Sequence, residues 1–252
     1  MKSNVKVTLI IPCYNEETNI QKGVLDKIGN YTNSNHTFGE VLIVDDGSTD
    51  QSKSIVKEKY LPNFPKFRLI ENRHLGKAGA VISGITHAKE TYAMFSDIDL
   101  ATPLEESEKL IEEVGQGYDI VIGSRNSSRD GAPLFRKIMA RGFIVVRDIL
   151  IGLQGIRDTQ CGFKIFAKGK ALLIIKKLKV SNQDHTVKGS SVNAAFDLEF
   201  LFLAQKMGYK IKEVPVVWKH VETKNVNFFH DSIETFKDIL KIKYYDITQK
   251  YT

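Results

Sequence analysis

Residues 92–103 read YAMFSDIDLATP. Tyr92, Ala93, Met94 and Phe95 have the character of the end of a buried strand, and Asp97 and Asp99 then place two carboxylates one residue apart at its mouth. In a continuing strand, residues i and i+2 point to one face. Two carboxylates that close stay ionised together only if a cation or strong donors lie between them. A divalent ion bound through oxygen meets that need, since Mg2+ commonly takes one or two carboxylates together with phosphate oxygens and water. A solvated turn in which Asp99 caps the helix after Pro103 is the competing explanation, and this stretch alone does not choose.

Working outward, strand and helix signals alternate. VTLIIP (7–12), VLIVDD (41–46), FRLIEN (67–72), YAMFSD (92–97) and YDIVIGS (118–124) read as strands. Between them lie helical stretches from the polar start at Asn15–Glu17 to about Ile28, over 51–60 behind an N-cap region at Ser48–Asp50, over 76–88, and over 103–115. Such alternation predicts a parallel α/β sheet covered on both faces, with ligands outside the carboxyl ends of its strands. The polar residues collect at those ends: PCYNEE after strand one, Asp45-Asp46-Gly47-Ser48 after strand two, Arg73-His74-Leu75-Gly76-Lys77 after strand three, Asp97 and Asp99 after strand four, and Gly123-Ser124-Arg125 after strand five. Five such groups on one sheet edge make a cleft.

The second half is less regular. Residues 134–153 read as a long basic amphipathic helix, on which Arg136 and Arg147 share a face. CGFKIFA (161–167) reads as a strand, 195–208 as a helix, and 209–221 as a strand pair or one long strand. Residues 230–246 read as a helix with Ile233, Phe236, Ile239, Leu240 and Tyr244 on one face, accompanied by Lys237, Lys241 and Lys243. No internal repeat or low-complexity linker divides the chain.

The chain has 252 residues, 42% of them hydrophobic, which suffices for one sizeable core. Its net charge of +6 suits phosphate-bearing partners. Nucleic acid has only the basic pI in its favour, without clustered aromatic and basic motifs. Two cysteines, Cys13 and Cys161, suggest neither a disulfide framework nor a metal knuckle. The N-terminal apolar run stops at Pro12, too early for a signal peptide, and no segment approaches the roughly 20 apolar residues of a spanning helix. A soluble or peripheral protein at the cytoplasmic face of a membrane is expected.

PCYNEE stands where a dinucleotide fold would carry G-x-G-x-x-G, which disfavours a dehydrogenase, and a P-loop is missing too. Asp45-Asp46-Gly47-Ser48 fits a capping turn, a nucleoside-reading carboxylate, or the phosphoacceptor pair of a receiver domain. A receiver would leave half the chain unexplained. Lys77, at a glycine-bearing helix start, suits a phosphate in the cleft.

Taken in order, IIPCYNEE, VDDGSTD, RHLGKAGA, Asp97-Ile98-Asp99, IGSR, RKIMARG (136–142), IRDTQCGFKIF (156–166), AFDLEFLFLA (195–204) and EVPVVWKHVETK (213–224) resemble the family 2 glycosyltransferases of GT-A fold. The later motifs resemble the branch that loads sugars onto polyprenyl phosphates, nearest to dolichyl-phosphate β-glucosyltransferases. The resemblance implies a Rossmann-like, mostly parallel sheet flanked by helices: one GT-A domain over 1–225, and an amphipathic helical tail over 226–252 packed on it or at a membrane surface. It implies an inverting transfer of a hexose, glucose from UDP-glucose foremost, onto a dolichyl or undecaprenyl phosphate. GDP-mannose, UDP-N-acetylglucosamine or a saccharide acceptor are alternatives, as is a silent nucleotide-sugar-binding module with a membrane-protein partner. Pro12, Tyr14, Asn15, Glu16, Asp45 and Asp46 match the nucleotide pocket, with Lys77 at the diphosphate. By family position Asp97 would hold the ribose or a metal water and Asp99 would touch Mg2+ or Mn2+ directly. Arg125 and Arg136, supported by Arg141 and Lys224, would hold the acceptor phosphate. Asp197 would orient an arginine or a sugar hydroxyl, and Asp158 could be structural. Relatives of this branch carry membrane anchors that this chain does not show, and the segment before Lys224 is shorter than usual.

Overall fold

A computed structural model describes residues 5–125, 134–153, 155–181, 194–219 and 228–251. Strands β1 (Val7–Cys13), β2 (Phe38–Asp45), β3 (Phe67–Glu71), β4 (Tyr92–Ser96), β5 (Ile120–Arg125), β6 (Phe163–Ala167) and β7 (Ile211–Val216) form one sheet in the order β3-β2-β1-β4-β6-β5-β7. Neighbours pair in parallel except around β6, which runs antiparallel to both β4 and β5. The carboxyl ends of six strands and the start of β6 therefore lie on one edge. The strand order reverses beside β1, where an open α/β sheet leaves a crevice.

The near-continuous apolar runs are explained by burial on both faces. Along β1, Ile10 joins one core cluster, while Val7, Leu9 and Ile11 join the other across the sheet. Pro215 in β7 is tolerated because β7 is an edge strand. Among the described residues 209–219, β7 is the one strand.

The helices follow the predicted order, with local differences. The first predicted helix is two, α1 (Glu17–Gln21) and α2 (Val24–Ser34), because Gly23 turns left-handed at φ +77° and interrupts the ladder. Helix α3 (Ser52–Ile55) passes through a π-helical turn, Val56–Tyr60, into α4 (Leu61–Asn63). Helix α5 (Gly76–His87) packs on β1 and β2, and a 3-10 turn at Leu104–Glu106 opens α6 (Ser107–Gly115). Helices α7 (Leu134–Ile151), α8 (Lys168–Ile175), α9 (Ala194–Lys206) and α10 (Phe228–Ile247) complete the chain, α10 lying against both α7 and α9.

Two expectations about the last elements are corrected. On α7, read as a basic amphipathic helix, Arg147 adds no exposed charge: it is fully buried and donates to Asp148 Oδ1 and to the Ile156 carbonyl, clamping the turn after α7. On α10, Ile239 is fully buried with Ile242, whereas Ile233, Phe236, Leu240 and Tyr244 are 41 to 57% exposed. The helix thus has two apolar faces, one in the core and one outside. Beyond α10, Tyr251 turns back into the core and its hydroxyl donates to Glu199 Oε1 at 2.8 Å.

Candidate active site

The first wall of the cleft is knitted from the exits of β1 and β2. Asn15 adopts φ +53°, which directs its side chain across the gap, and Asn15 Oδ1 accepts from the backbone N–H of Thr49 and Asp50. The Glu16 N–H donates to Ser52 Oγ at 2.8 Å, and Glu16 Oε2 accepts from Asn19 at 2.6 Å. Gly47 also turns left-handed, and a side chain there would press on the His74 backbone. Asp46 then spans to the next exit: its carboxylate accepts from the N–H groups of Leu75 and Gly76 and pairs with His74 Nδ1 at 2.8 Å. Burial raises the Asp46 carboxyl above its ordinary value, with those donors opposing. At this turn Asp45 Oδ1 alone, among the carboxylate oxygens, has no hydrogen-bond partner within the described residues. Tyr14 stacks on His74, ring centroids 4.0 Å apart, beside half-buried Pro12.

The strand does not continue through the two carboxylates: β4 ends at Ser96, and Asp97 to Leu100 form a turn closed by the Leu100 N–H on the Asp97 carbonyl at 3.2 Å, so strand alternation does not set the directions of Asp97 and Asp99. Leu100 sits at φ +52°, a strained conformation for a branched side chain, and Asp99 Oδ1 accepts from the Ala101 N–H at 3.0 Å. Asp97 lies over Gly162, where any Cβ would collide with its carboxylate. This explains the glycine in CGFK. Lys77, in the first turn of α5, forms an ion pair with Asp97. Burial opposes the Lys77 charge, but Asp97, Asp197 and Asp99 outweigh it and raise its pKa. Asp99 is less well compensated: burial first, then repulsion from Asp97, raises its carboxyl against the Ala101 N–H. Two hard oxygen donors with an excess of negative charge fit a divalent cation whose other positions go to phosphate and water. No larger group of His, Cys, Asp and Glu suited to a metal occurs among the described residues.

Arg125 ends β5 on the same edge. Its Nε and Nη2 grip Asp158 at 2.7 and 2.8 Å, and its backbone N–H adds a third bond at 3.0 Å. Burial would raise the Asp158 carboxyl, but the bonds and charge of Arg125 hold it below its usual range. Glu213 of β7 braces this turn by accepting from the N–H groups of Arg157 and Asp158. The fork spends one edge of the guanidinium on Asp158 and leaves its other N–H donors for a small cavity that Arg125 lines with Asp97, Gln160 and Trp218.

Deeper in the sheet, Lys164 of β6 donates to Asp197 Oδ1 at 2.7 Å and to the Cys161 carbonyl at 2.6 Å, with its ammonium 5.1 Å from the Phe95 ring centroid. Among the described residues, Asp197 has Lys164 as its charged partner. Pro12, Tyr14, Asn15, Glu16, Asp45, Asp46, Lys77, Asp97, Asp99, Arg125 and Asp197 all lie at or behind this edge. The side chains of Arg136 and Arg141, and all of Lys224, lie outside the described residues. Lys164, Glu213 and Trp218 were missed as site residues. A lysine flanked by phenylalanine and isoleucine in the strand FKIF was the one local signal for Lys164.

Opposed charges set out along the carboxyl edge of an open α/β sheet suit an enzyme that binds phosphate esters in the crevice. Residues 8–174 match the family described as Glycosyl transferase family 2; the chain belongs to that family and is a glycosyltransferase. It is similar to the dolichyl-phosphate beta-glucosyltransferase of Saccharomyces cerevisiae, 30% identical over 257 residues covering 94% of this chain and 74% of the relative. The enzyme of the same name from Homo sapiens is 31% identical over 259 residues, covering 94% and 75%. Among solved structures, Mycobacterium tuberculosis glucosyl-3-phosphoglycerate synthase in complex with Mn2+, UDP and glucosyl-3-phosphoglycerate aligns with a TM-score of 0.67 at 15% identity, covering 94% of this chain and 79% of that one. Mannosyl-3-phosphoglycerate synthase from Rubrobacter xylanophilus gives 0.63 at 11% identity, with 93% and 73% covered. These likenesses show the fold, which is the GT-A fold expected from the motifs.

Proposed function

We propose that this protein transfers glucose from UDP-glucose to a polyprenyl phosphate of the dolichyl type, with inversion at the anomeric carbon. The observation that carries this is identity of about 30% to dolichyl-phosphate beta-glucosyltransferases across almost the whole chain. The solved relative with UDP and Mn2+ supports the donor class and the cation.

The cleft's charges suit each step. Asp97 and Asp99 would hold Mg2+ or Mn2+, which supplies Lewis-acid neutralisation of the departing diphosphate. Lys77 exchanges its pairing with Asp97 for the diphosphate when the donor arrives. Tyr14 and the Asp45–Asp46 turn receive the nucleoside, where Asp45 Oδ1 offers an unused acceptor to a base N–H. The acceptor is a phosphate monoester carrying about −1.5 to −2 charge at neutral pH, so it is already a competent nucleophile. It needs to be positioned and partly neutralised, which a braced arginine does well. Arg125, with Arg136 in support, takes that part. Asp197 is then not needed as a base, in keeping with its ion pair to Lys164.

A test offers labelled UDP-glucose, UDP-N-acetylglucosamine and GDP-mannose with a short polyprenyl phosphate, with Mn2+ or Mg2+ or with chelator. Lipid-extractable label from UDP-glucose, lost on chelation, is the expected result. Label from another donor only would replace the sugar, and no label from any donor would overturn the proposal.

No described helix is long and apolar enough to cross a membrane. We propose peripheral contact with the bilayer through the outer face of α10, with Val145 and Ile149 of neighbouring α7, both exposed, adding apolar surface. Lys237 is paired with Glu234 at 2.7 Å and Lys241 with Asp238 at 3.7 Å, so the helix offers little net positive charge to anionic headgroups. Binding should come from apolar insertion. In vesicle flotation, Phe236→Ser with Leu240→Ser is expected to abolish binding, while raised salt changes it little. Binding that survives the double substitution would exclude this face.

A further inference from the structure

Trp218 is the only tryptophan in the chain, and neither the fold nor the proposed chemistry has so far used it. It follows the end of β7, where an indole could have packed into either core cluster. Instead it is 41% exposed, beside Val217 at 50%, on the edge that holds the cleft. Its position is fixed from two sides. The Val217 N–H donates to Glu106 Oε2 at 3.1 Å, and the Lys219 N–H donates to the Ala101 carbonyl at 2.8 Å. Ala101 is the residue whose own N–H holds Asp99. The segment carrying the indole is thus tied to the loop that carries the two carboxylates.

The neighbours of the ring define what could lie against it. The Arg125 Cζ is 5.9 Å from the indole centroid, and Trp218 lines the same small cavity as Asp97 and Arg125. A phosphate monoester held by Arg125 must lead its ester carbon past whatever flanks the guanidinium. Here that is the half-exposed indole of Trp218. An aromatic face is poorly matched to a second phosphate and well matched to an apolar isoprenoid chain.

We infer that Trp218 forms the subsite for the first isoprene unit of the acceptor lipid, with the indole packed between that unit and Arg125. The inference rests on the reading of the acceptor as a polyprenyl phosphate. It makes Trp218 a specificity-determining residue: Arg125 recognises the phosphate, and Trp218 recognises what the phosphate is attached to.

Because the tryptophan is unique, its emission reports on this subsite without any label and without turnover. Titration of the intact protein with geranyl phosphate, a water-soluble isoprenyl monoester, is expected to give a saturable blue shift. Inorganic phosphate should give none. In transfer assays with geranyl phosphate, Trp218→Ala is expected to raise the acceptor KM roughly tenfold, the scale of a lost aromatic contact. Trp218→Phe should recover most of the loss, and the donor KM should stay unchanged. An emission unaffected by geranyl phosphate, an equal response to inorganic phosphate, or a rise in donor KM in place of acceptor KM would each overturn the subsite. A blue shift without transfer from any nucleotide sugar would sustain the subsite while removing the proposed reaction.

Discussion

Asp99→Asn is expected to lower the rate of glucosyl transfer about a thousandfold, the upper range for loss of one preorganised electrostatic group. The substitution keeps the side chain's size and its acceptor for the Ala101 N–H, so the loop should hold its shape. What it removes is charge, and Asp99 is where the charge is least compensated. Asp97 already has Lys77 as a partner, whereas burial and Asp97 itself press the Asp99 carboxyl upward. The expected accompaniment is weaker Mn2+ binding, read from the free-ion electron paramagnetic resonance signal in the presence of UDP. Wild-type turnover and Mn2+ affinity in Asp99→Asn would remove Asp99 from the cation site. Loss of turnover with unchanged Mn2+ affinity would move the ligand role to Asp97.

The second large effect concerns folding. Lys164 is almost wholly buried on a central strand and answers the charge of Asp197. Removing one partner of a buried pair leaves the other uncompensated and costs about 3–5 kcal/mol. For a domain of this size that is a fall in melting temperature on the order of 10 °C. Lys164→Met is expected to show it by calorimetry or urea unfolding. Lys164→Met combined with Asp197→Leu should regain most of the stability, because apolar replacement of a whole buried pair is often neutral. A double variant no more stable than the single one would mean that Lys164 acts through its bond to the Cys161 carbonyl or through packing on Phe95.

Local sequence carries much of this structure. Apolar runs closed by polar turns located β1 to β5 to within a few residues, since all but the edge strand β3 are largely buried on both faces and each end must be polar where it reaches the cleft. The pairing of Asp97 with Asp99 was visible because two adjacent charges need an explanation wherever they occur. Other features depend on partners far away in the chain. The buried state of Arg147 follows from the carbonyls of the turn after α7, and nothing in its helical neighbours distinguishes it from Arg136. Ile239 and Leu240 are consecutive and equally apolar, yet the packing of α10 against α7 and α9 decides which one enters the core. The bond network from Glu213 through Asp158 to Arg125 joins three separate segments, so no window of sequence contains it.

The two halves of the cleft come from separate stretches of the chain. The half of the cleft proposed to take the donor is assembled from the ends of β1 to β4, within residues 7–101. The opposite half comes from the end of β5, the chain leading into β6 and the chain leaving β7. The two halves are nonetheless joined: the Lys219 N–H donates to the Ala101 carbonyl, and Asp97 lies over Gly162. Any change to the acceptor side must keep those two contacts if the loop of Asp97 and Asp99 is to keep its shape.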